Sequence, residues 1–338
     1  MLLDKFIKAG QDFLGCKFPI MCGAMTWVSD YKLIGALGNA GGFGLLAGGN
    51  APVDVLEKEI IATREYTDAP FGVNLITIAP VYKDQLQLVC DMKCKLVMFA
   101  GSIPKDIEIQ QVKDTGAKVI CFAPTAPLAH RLIKIGADAL MIEGAEAGGH
   151  IGPVSLSVLL QQILFEIDNT PVFVAGGIAT GRMMAHLLMM GAAGIQMGTR
   201  FVMSEECKAH SKFKAVFKKA NARDAVATPQ FDSRLPVIPV RALKNKGSIE
   251  FSKLQIDLMN KLENKLIDQQ QAQYEVENFW VGALRDAVID GNVQRGSLMA
   301  GQSVGLVDKI KPIQGIIDEM VDDAESELQR LNKIFMGT

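Results

Sequence analysis

Net charge is nearly absent from this 338-residue chain, where 35 lysines and arginines meet 37 aspartates and glutamates to leave −2. No basic excess is available for a phosphate backbone, so nucleic acid is not an expected partner. Paired cysteines are lacking as well. Cys16, Cys22, Cys90, Cys94, Cys121 and Cys207 contain no C-x-x-C, and few of the four histidines lie near them. The chain is therefore expected to have no metal site and no disulfide framework, and to carry buried free thiols in a reducing compartment. No apolar run reaches about 18 residues without a charge or a glycine, so no membrane span is expected. The charged start MLLDKFIKAGQDFLG has no apolar core of a signal peptide. A soluble, cytoplasmic protein with no membrane partner is the expectation. Also missing is a G-x-G-x-x-G turn after the first strand-like run, where Gly23-Ala24-Met25-Thr26 stands instead. That absence argues against a dinucleotide-binding open sheet.

What is present is a repeat of strand and helix. Apolar runs occur at 19–23, 42–49, 70–76, 96–101, 117–124, 137–144, 171–177 and 194–201. Each is apolar almost throughout, as strands buried on both faces of a parallel sheet are. Helix-length segments separate them: Ser29–Ala40, Val53–Tyr66, Val81–Met92, Pro127–Ile135, Ser155–Ile167 and Gly181–Met190. Ser29 and Ser155 are the candidate N-caps, and Gly41, Gly116, Gly136 and Gly191 follow helix ends. Eight such units close a (β/α)8 TIM barrel. After residue 205 the strand pattern stops. Pro229, Pro236 and Pro239 mark the transition, and residues 250–275 and 312–335 read as helices with solvated faces. The expected division is a barrel over residues 1–228 and a helical lid with terminal helices over 229–338. Within 205–338 the expected order is the last barrel helix, the lid, and a terminal helix.

Barrel active sites lie at the C-terminal ends of the strands, and loops seven and eight commonly hold phosphate. Ala175-Gly176-Gly177 ends the seventh run and Gly198-Thr199 ends the eighth. Glycine lets backbone N–H groups approach phosphate oxygens, and a threonine hydroxyl adds a donor. Glycines that only make tight turns are the plainer alternative for either pair alone. After the sixth run comes Glu143-Gly144-Ala145-Glu146-Ala147-Gly148-Gly149-His150-Ile151-Gly152. A histidine among glycines at the catalytic end can give or take a proton near neutrality, so His150 is the catalytic candidate. His130, His186 and His210 lie within helix-like segments and receive no role. Glu143 and Glu146 either orient the loop through backbone N–H groups or are solvated. Gly23, Ala24 and Met25 after the first run, with Asn74 on the third, offer an apolar surface and an amide for a flat cofactor ring such as a flavin. Core filling is the ordinary role of a methionine such as Met25. The late stretch Gly296-Ser297-Leu298-Met299-Ala300-Gly301-Gln302 is placed to return over the barrel mouth, or merely joins helices.

Taken together, Glu146–Gly152, Val174–Ala179 and Gly198–Phe201 resemble the 2-nitropropane dioxygenase-like flavoprotein superfamily, from about Phe18 to Val307. That group includes nitronate monooxygenases and FabK-type enoyl-acyl-carrier-protein reductases. Met25–Asp30, Gly48–Pro52, Val240–Asn245 and Gly296–Gln302 look more like the FabK type. Departures are Cys22 where the family usually has glutamine, Ala24 at a common glycine or proline, and the loop Phe99–Pro104.

The resemblance implies an FMN-dependent enzyme of bacterial fatty-acid synthesis. FMN would be held by Gly23, Ala24, Met25, Asn74, Glu143, Gly148, Gly149, Ala175, Gly176, Gly177, Gly198, Thr199, Met299 and Gln302. It implies that NADH or NADPH reduces the flavin, which passes hydride to the β-carbon of an acyl-carrier-protein-linked enoyl thioester. His150 would donate the α-proton or support the oxyanion. A homodimer is implied too. The alternatives are a nitronate monooxygenase using O2, a quinone reductase on the same scaffold, an IMP-dehydrogenase-like barrel with Cys207 as nucleophile, and a non-catalytic binding module. An acidic carrier would dock on a basic rim drawn from Arg241, Lys244, Lys246, Lys208, Lys212, Lys214, Lys218 and Lys219, which are otherwise solvated helix faces.

Overall fold

Runs apolar on both faces need a second layer on each side, and the computed structural model shows how this chain supplies it. It describes residues 1–231, 234–235 and 239–337; Pro236 lies outside the described residues. The strands are β1 (Ile20–Cys22), β2 (Phe43–Ala47), β3 (Phe71–Ile76), β4 (Leu96–Ala100), β5 (Lys118–Phe122), β6 (Ala139–Glu143), β8 (Val172–Ala175) and β9 (Gly194–Met197). They form a closed barrel in that order. Neighbours are parallel, and β1 pairs with β9 through Ile20–Ile195, Met21–Gln196 and Cys22–Met197. The eighth run is strand only to Met197, after which α9 (Thr199–Val202) begins.

Alternate residues along a strand face opposite sides. Met21, Phe43, Leu45, Leu96, Met98, Ile120, Met141 and Phe173 fill the barrel interior. Below them, helix α1 (Asp4–Leu14), which the periodicity had not singled out, closes the N-terminal end. Its Phe13 ring lies 5.7 Å from that of Phe173. The opposite residues of each strand join the outer cluster beneath the helices, for example Ile20, Leu46, Val73, Val97, Leu140 and Val174. Burying a side chain of this size contributes about 1.5–3 kcal/mol.

The outer ring includes α2 (Tyr31–Asn39), α3 (Val53–Tyr66), α4 (Tyr82–Asp91), α5 (Asp106–Lys113), α6 (Ala126–Lys134) and α8 (Gly181–Met189). Helix α5 also escaped the sequence reading, because its mixed residues leave only a weak apolar stripe. Two N-caps differ from expectation. Asp30, not Ser29, caps α2 by accepting from the Leu33 N–H at 3.1 Å. Ser29 instead donates to the Gly23 carbonyl at 2.9 Å and accepts from the Met25 N–H at 2.9 Å, which pins the first loop. Ser155 occupies a cap position, but its side chain makes no cap bond. The helix that follows, α7 (Leu156–Leu159), passes into a π-turn over Leu160–Leu164.

The second half of the chain corrects two readings. Strand does not stop at 205. Residues β10 (Ala225–Ala227) and β11 (Val240–Leu243) pair antiparallel, and β11 pairs with β7 (Gly149–His150) from the sixth barrel loop. Strands of two to four residues carry no readable alternation. After α10 (Ser211–Phe217) and this sheet, α11 (Lys246–Glu263) and α12 (Gln269–Val288) enclose a separate small core of Phe251, Leu258, Val276 and Trp280. The last barrel helix does not precede this lid but follows it. Helix α13 (Ile313–Met336) packs on α8 and α2, the helices that follow β8 and β1. The missing side chain of Gly181 permits this approach, since a Cβ there would lie 2.0 Å from the Met320 carbonyl. Among the described residues no helix is long and apolar enough to cross a membrane.

Candidate active site

The C-terminal mouth of the barrel is where inward-facing positions turn polar. Gly72 faces inward, since a Cβ there would touch the interior side chains Leu45 and Leu96. Asn74, two residues on, therefore faces inward as well. The same alternation carries Met141 to Glu143 and Gly194 to Gln196. The floor of the mouth thus combines Asn74, Glu143 and Gln196 from three separated strands. Asn74 is buried, its Nδ2 donating to the Met98 carbonyl at 3.4 Å. Gln196 is buried beside Gly23, where a Cβ would lie 3.1 Å from its Nε2. The Gln196 Oε1 has no hydrogen-bond partner. A buried acceptor left unpaired destabilises by about 1–3 kcal/mol, so it marks a place that a donor completes. Gln196 was not among the residues expected from sequence. Its signal was available: it is the one polar residue in the run GIQM of the closing strand.

Burial raises the Glu143 carboxyl from its ordinary 4.5 to about 8. At neutral pH it is therefore protonated and offers a donor as well as an acceptor. Cys207 is buried and its thiol is pushed upward by desolvation, the reverse of an activated nucleophile. Such surroundings do not suit an IMP-dehydrogenase-like nucleophile.

The loops after β8 and β9 build a backbone cradle. Gly176 and Gly177 have φ of 94° and 73°, the left-handed region that favours glycine. A Cβ on Gly176 would lie 2.7 Å from the Gly144 carbonyl, so this turn and the sixth loop are in direct backbone contact. Ala175 accepts from the Gly144 N–H at 3.0 Å. Gly198 opens α9, with Met25 Sδ 3.3 Å from where its Cβ would be. This brings Met25 against the eighth loop, and the Gly23 N–H donates to the Met197 carbonyl at 3.0 Å. Two consecutive glycines with left-handed φ beside a third on the next strand fit a phosphate group.

The sixth loop is held from three sides. The Glu146 carboxylate accepts from the Leu156 N–H at 3.0 Å. That makes Glu146 the loop-orienting acid of the two candidates. Arg241 donates to the Ala145 carbonyl at 2.9 Å and to the Ala225 carbonyl at 2.6 Å. The late glycine-rich stretch does return to the mouth. The Gln302 N–H donates to the Glu146 carbonyl at 2.9 Å, and the Gly301 N–H to Thr199 Oγ1 at 2.9 Å. Gly148 meets this stretch backbone to backbone, its Cβ position 2.5 Å from the Ala300 carbonyl carbon. Met299 Sδ lies 3.6 Å from the Cβ position of Gly149. Gln302 thus enters through its backbone, and Thr199 through a hydroxyl already accepting one bond. His150 sits exposed on β7, its backbone in register with Val240, at the rim of the mouth rather than on a free loop. His186 pairs with Glu327, and His210 caps α10, outside the mouth.

Against this geometry, the profile of the nitronate monooxygenase family matches residues 8–85 and 76–323. The chain belongs to the nitronate monooxygenase family. Family relatives divide by chemistry. The chain is similar to FabK from Thermotoga maritima, with 36% identity, TM-score 0.85, and coverage of 96% of this chain and 98% of that one. It is 30% identical to a (3aS,4S,5R,7aS)-5-hydroxy-7a-methyl-1-oxo-octahydro-1H-indene-4-carboxyl-CoA dehydrogenase of Mycobacterium tuberculosis, over 94% of this chain and 96% of that protein. It is 29% identical to a probable nitronate monooxygenase of Staphylococcus saprophyticus, over 94% of this chain and 97% of that protein. The nitronate monooxygenase family fold is the (β/α)8 barrel described above, and the relatives named are oxidoreductases.

Proposed function

We propose that this protein is an FMN-dependent NAD(P)H oxidoreductase that reduces the 2,3-double bond of enoyl thioesters, with acyl-carrier protein as the expected carrier. The observation that carries this reading is the 36% identity to FabK along nearly the whole of both chains. Backbone groups at Gly176, Gly177 and Gly198, with Thr199, are the ones to hold the FMN phosphate. Asn74 and Gln196 suit the polar edge of the ring, and Met25 suits its face. When bound there, FMN would supply hydride transfer from NAD(P)H to the β-carbon of the thioester. His150 at the rim holds the proton that the α-carbon requires, or steadies the thioester oxygen. The lid residues Met299 to Gln302 exclude water above the cradle. The second reading, oxidation of alkyl nitronates with O2, is favoured by the family profile itself.

Anaerobic absorbance at about 450 nm, where oxidised flavins absorb, separates the two. NADH or NADPH should bleach the purified protein, and crotonyl thioester should restore its colour. His150→Ala should slow the second step by about 10²–10⁴-fold, the usual range for a lost general acid, without reducing flavin content. Colour changes produced by a nitronate alone, with no response to either nicotinamide, would sink the reductase reading.

A further inference from the structure

The barrel mouth has two unlike halves. The loops after β6, β8 and β9 hold Glu143, Glu146, His150 and the glycine cradle, under the lid residues Gly301 and Gln302. The loops after β2, β3, β4 and β5 are residues 48–52, 77–81, 101–105 and 123–125. They contain a single charged residue, Lys105, at the cap of α5. The inward-facing positions beneath them are apolar too. Ile76 lies two residues beyond Asn74, Ala100 two beyond Met98, and Phe122 two beyond Ile120, so all three face into the barrel. Each stands at the end of its strand and is only half-buried, open toward the mouth.

The apolar surface continues outward over the rim. Ile78 is 51% exposed and Ile103 38% exposed. Thr77 fastens their two loops together. Its N–H donates to the Ala100 carbonyl at 2.9 Å, its hydroxyl donates to the Ser102 carbonyl at 3.0 Å, and it accepts from the Ser102 N–H at 2.7 Å. A Cβ on Gly101 would lie 3.0 Å from Ile76 Cγ2 and 3.3 Å from Ile78 Cγ1, so one turn of backbone touches the inward isoleucine and the exposed one. A lone exposed isoleucine is ordinary. A fixed apolar track from the interior to the rim, over loops almost free of charge, is a surface for an apolar ligand. The phosphates of NAD(P)H call for a set of cations, and this half has Lys105 alone.

We propose that this uncharged half of the mouth seats the acyl chain of the enoyl thioester, and that Ile78 and Ile103 set how strongly long chains are favoured over short ones. The proposal rests on the enoyl-thioester reading above. A hydrocarbon tail makes no hydrogen bonds and gains only by leaving water for apolar surface, which is what Ile76, Phe122, Ile78 and Ile103 offer in sequence from floor to rim. A methylene moved fully out of water gains about fourfold in affinity, and about twofold at a half-exposed rim. Ile103 falls in the loop Phe99–Pro104, where this sequence departs from the family pattern, so the chain-length preference is set by residues particular to this protein.

The test uses the holoenzyme with pantetheine thioesters, which bring no carrier protein. The native enzyme should show a kcat/KM about ten- to hundredfold higher for decenoyl-pantetheine than for crotonyl-pantetheine. The Ile78→Asn/Ile103→Asn variant changes two exposed side chains and should lower that ratio about five- to tenfold, through the KM of the longer substrate and with flavin content kept. A native ratio near one, or a ratio that the variant leaves unchanged, overturns the proposal. Loss of flavin from the folded variant assigns the wall to the cofactor and overturns it too. If the double variant does not fold, Ile103→Asn alone is compared in the same way, with the same outcomes deciding. If no thioester reoxidises the reduced protein, the reductase reading fails separately. Calorimetry with decanoyl- and butyryl-pantetheine then decides the wall alone: tighter binding of the longer chain that weakens in the variant supports it, and equal or absent binding overturns it.

Discussion

Replacing Glu143 by glutamine should remove a pH dependence that the fold itself creates. The Glu143 carboxyl ends β6 inside the barrel mouth, where burial raises it from 4.5 to about 8. The folded protein therefore keeps this proton up to about pH 8, while the unfolded chain releases it near 4.5. Between those values the unfolded state binds fewer protons, so stability falls as pH rises through the window and levels off above it. At about 1.4 kcal/mol per pH unit the loss is at most about 5 kcal/mol, and water entering the mouth reduces it to about 2–4 kcal/mol. Glu143→Gln keeps the shape and does not titrate. Urea unfolding of the flavin-free protein at pH 5, 7 and 9 measures the difference. The variant should match the native protein at pH 5 and exceed it by about 2–4 kcal/mol at pH 9. Parallel pH profiles for the two proteins would refute a desolvated carboxyl at this position.

Three further outcomes are expected. Gly176→Ala forces a side chain into φ 94° and onto the Gly144 carbonyl, so purified protein should lose most of its flavin, read as the ratio of visible to ultraviolet absorbance. Phe173→Ala opens the barrel interior above α1 and should destabilise by about 3–5 kcal/mol in urea unfolding, with a normal flavin spectrum in the folded fraction. Glu327, nearly enclosed between α13 and α8, is held down to about 2 by its hydrogen bond to Arg330, aided by His186 and Arg182. Its contribution is present above pH 4.5 and lost as pH falls toward 2, so Glu327→Gln should flatten the fall of the thermal midpoint across that acid range.

The barrel was legible in the sequence because its strands are short, continuous and apolar, and because helices of ordinary amphipathic period separate them. The glycine pair at 176–177 was legible for a related reason: backbone that must adopt left-handed φ, and at Gly176 touch the Gly144 backbone, leaves no choice of residue. The N-cap at Ser29 was misassigned because two adjacent side chains can both cap, and only the path of the first loop assigns Asp30 to the helix and Ser29 to the Gly23 carbonyl. Helix α1 escaped because it precedes the first apolar run, and α5, which follows the fourth, because its mixed residues leave only a weak apolar stripe.

Sequence alone determined the eightfold alternation, the glycine turns at the strand ends, the histidine loop and the family, all of which are local patterns of residue type. Tertiary structure decided what depends on closing the ring. Only closure sets Gln196 beside Gly23 and leaves its oxygen without a partner. Only closure buries Glu143 enough to hold its proton. Contacts across a hundred residues join Gly301 to Thr199, and contacts across nearly as many pair Gly149 and His150 with β11. The chain's last helix becomes a barrel helix because the lid is inserted before it, and periodicity cannot register that insertion. Burial, proton affinity and unsatisfied hydrogen bonds belong to the surroundings of a residue, and those surroundings exist only once distant segments have met.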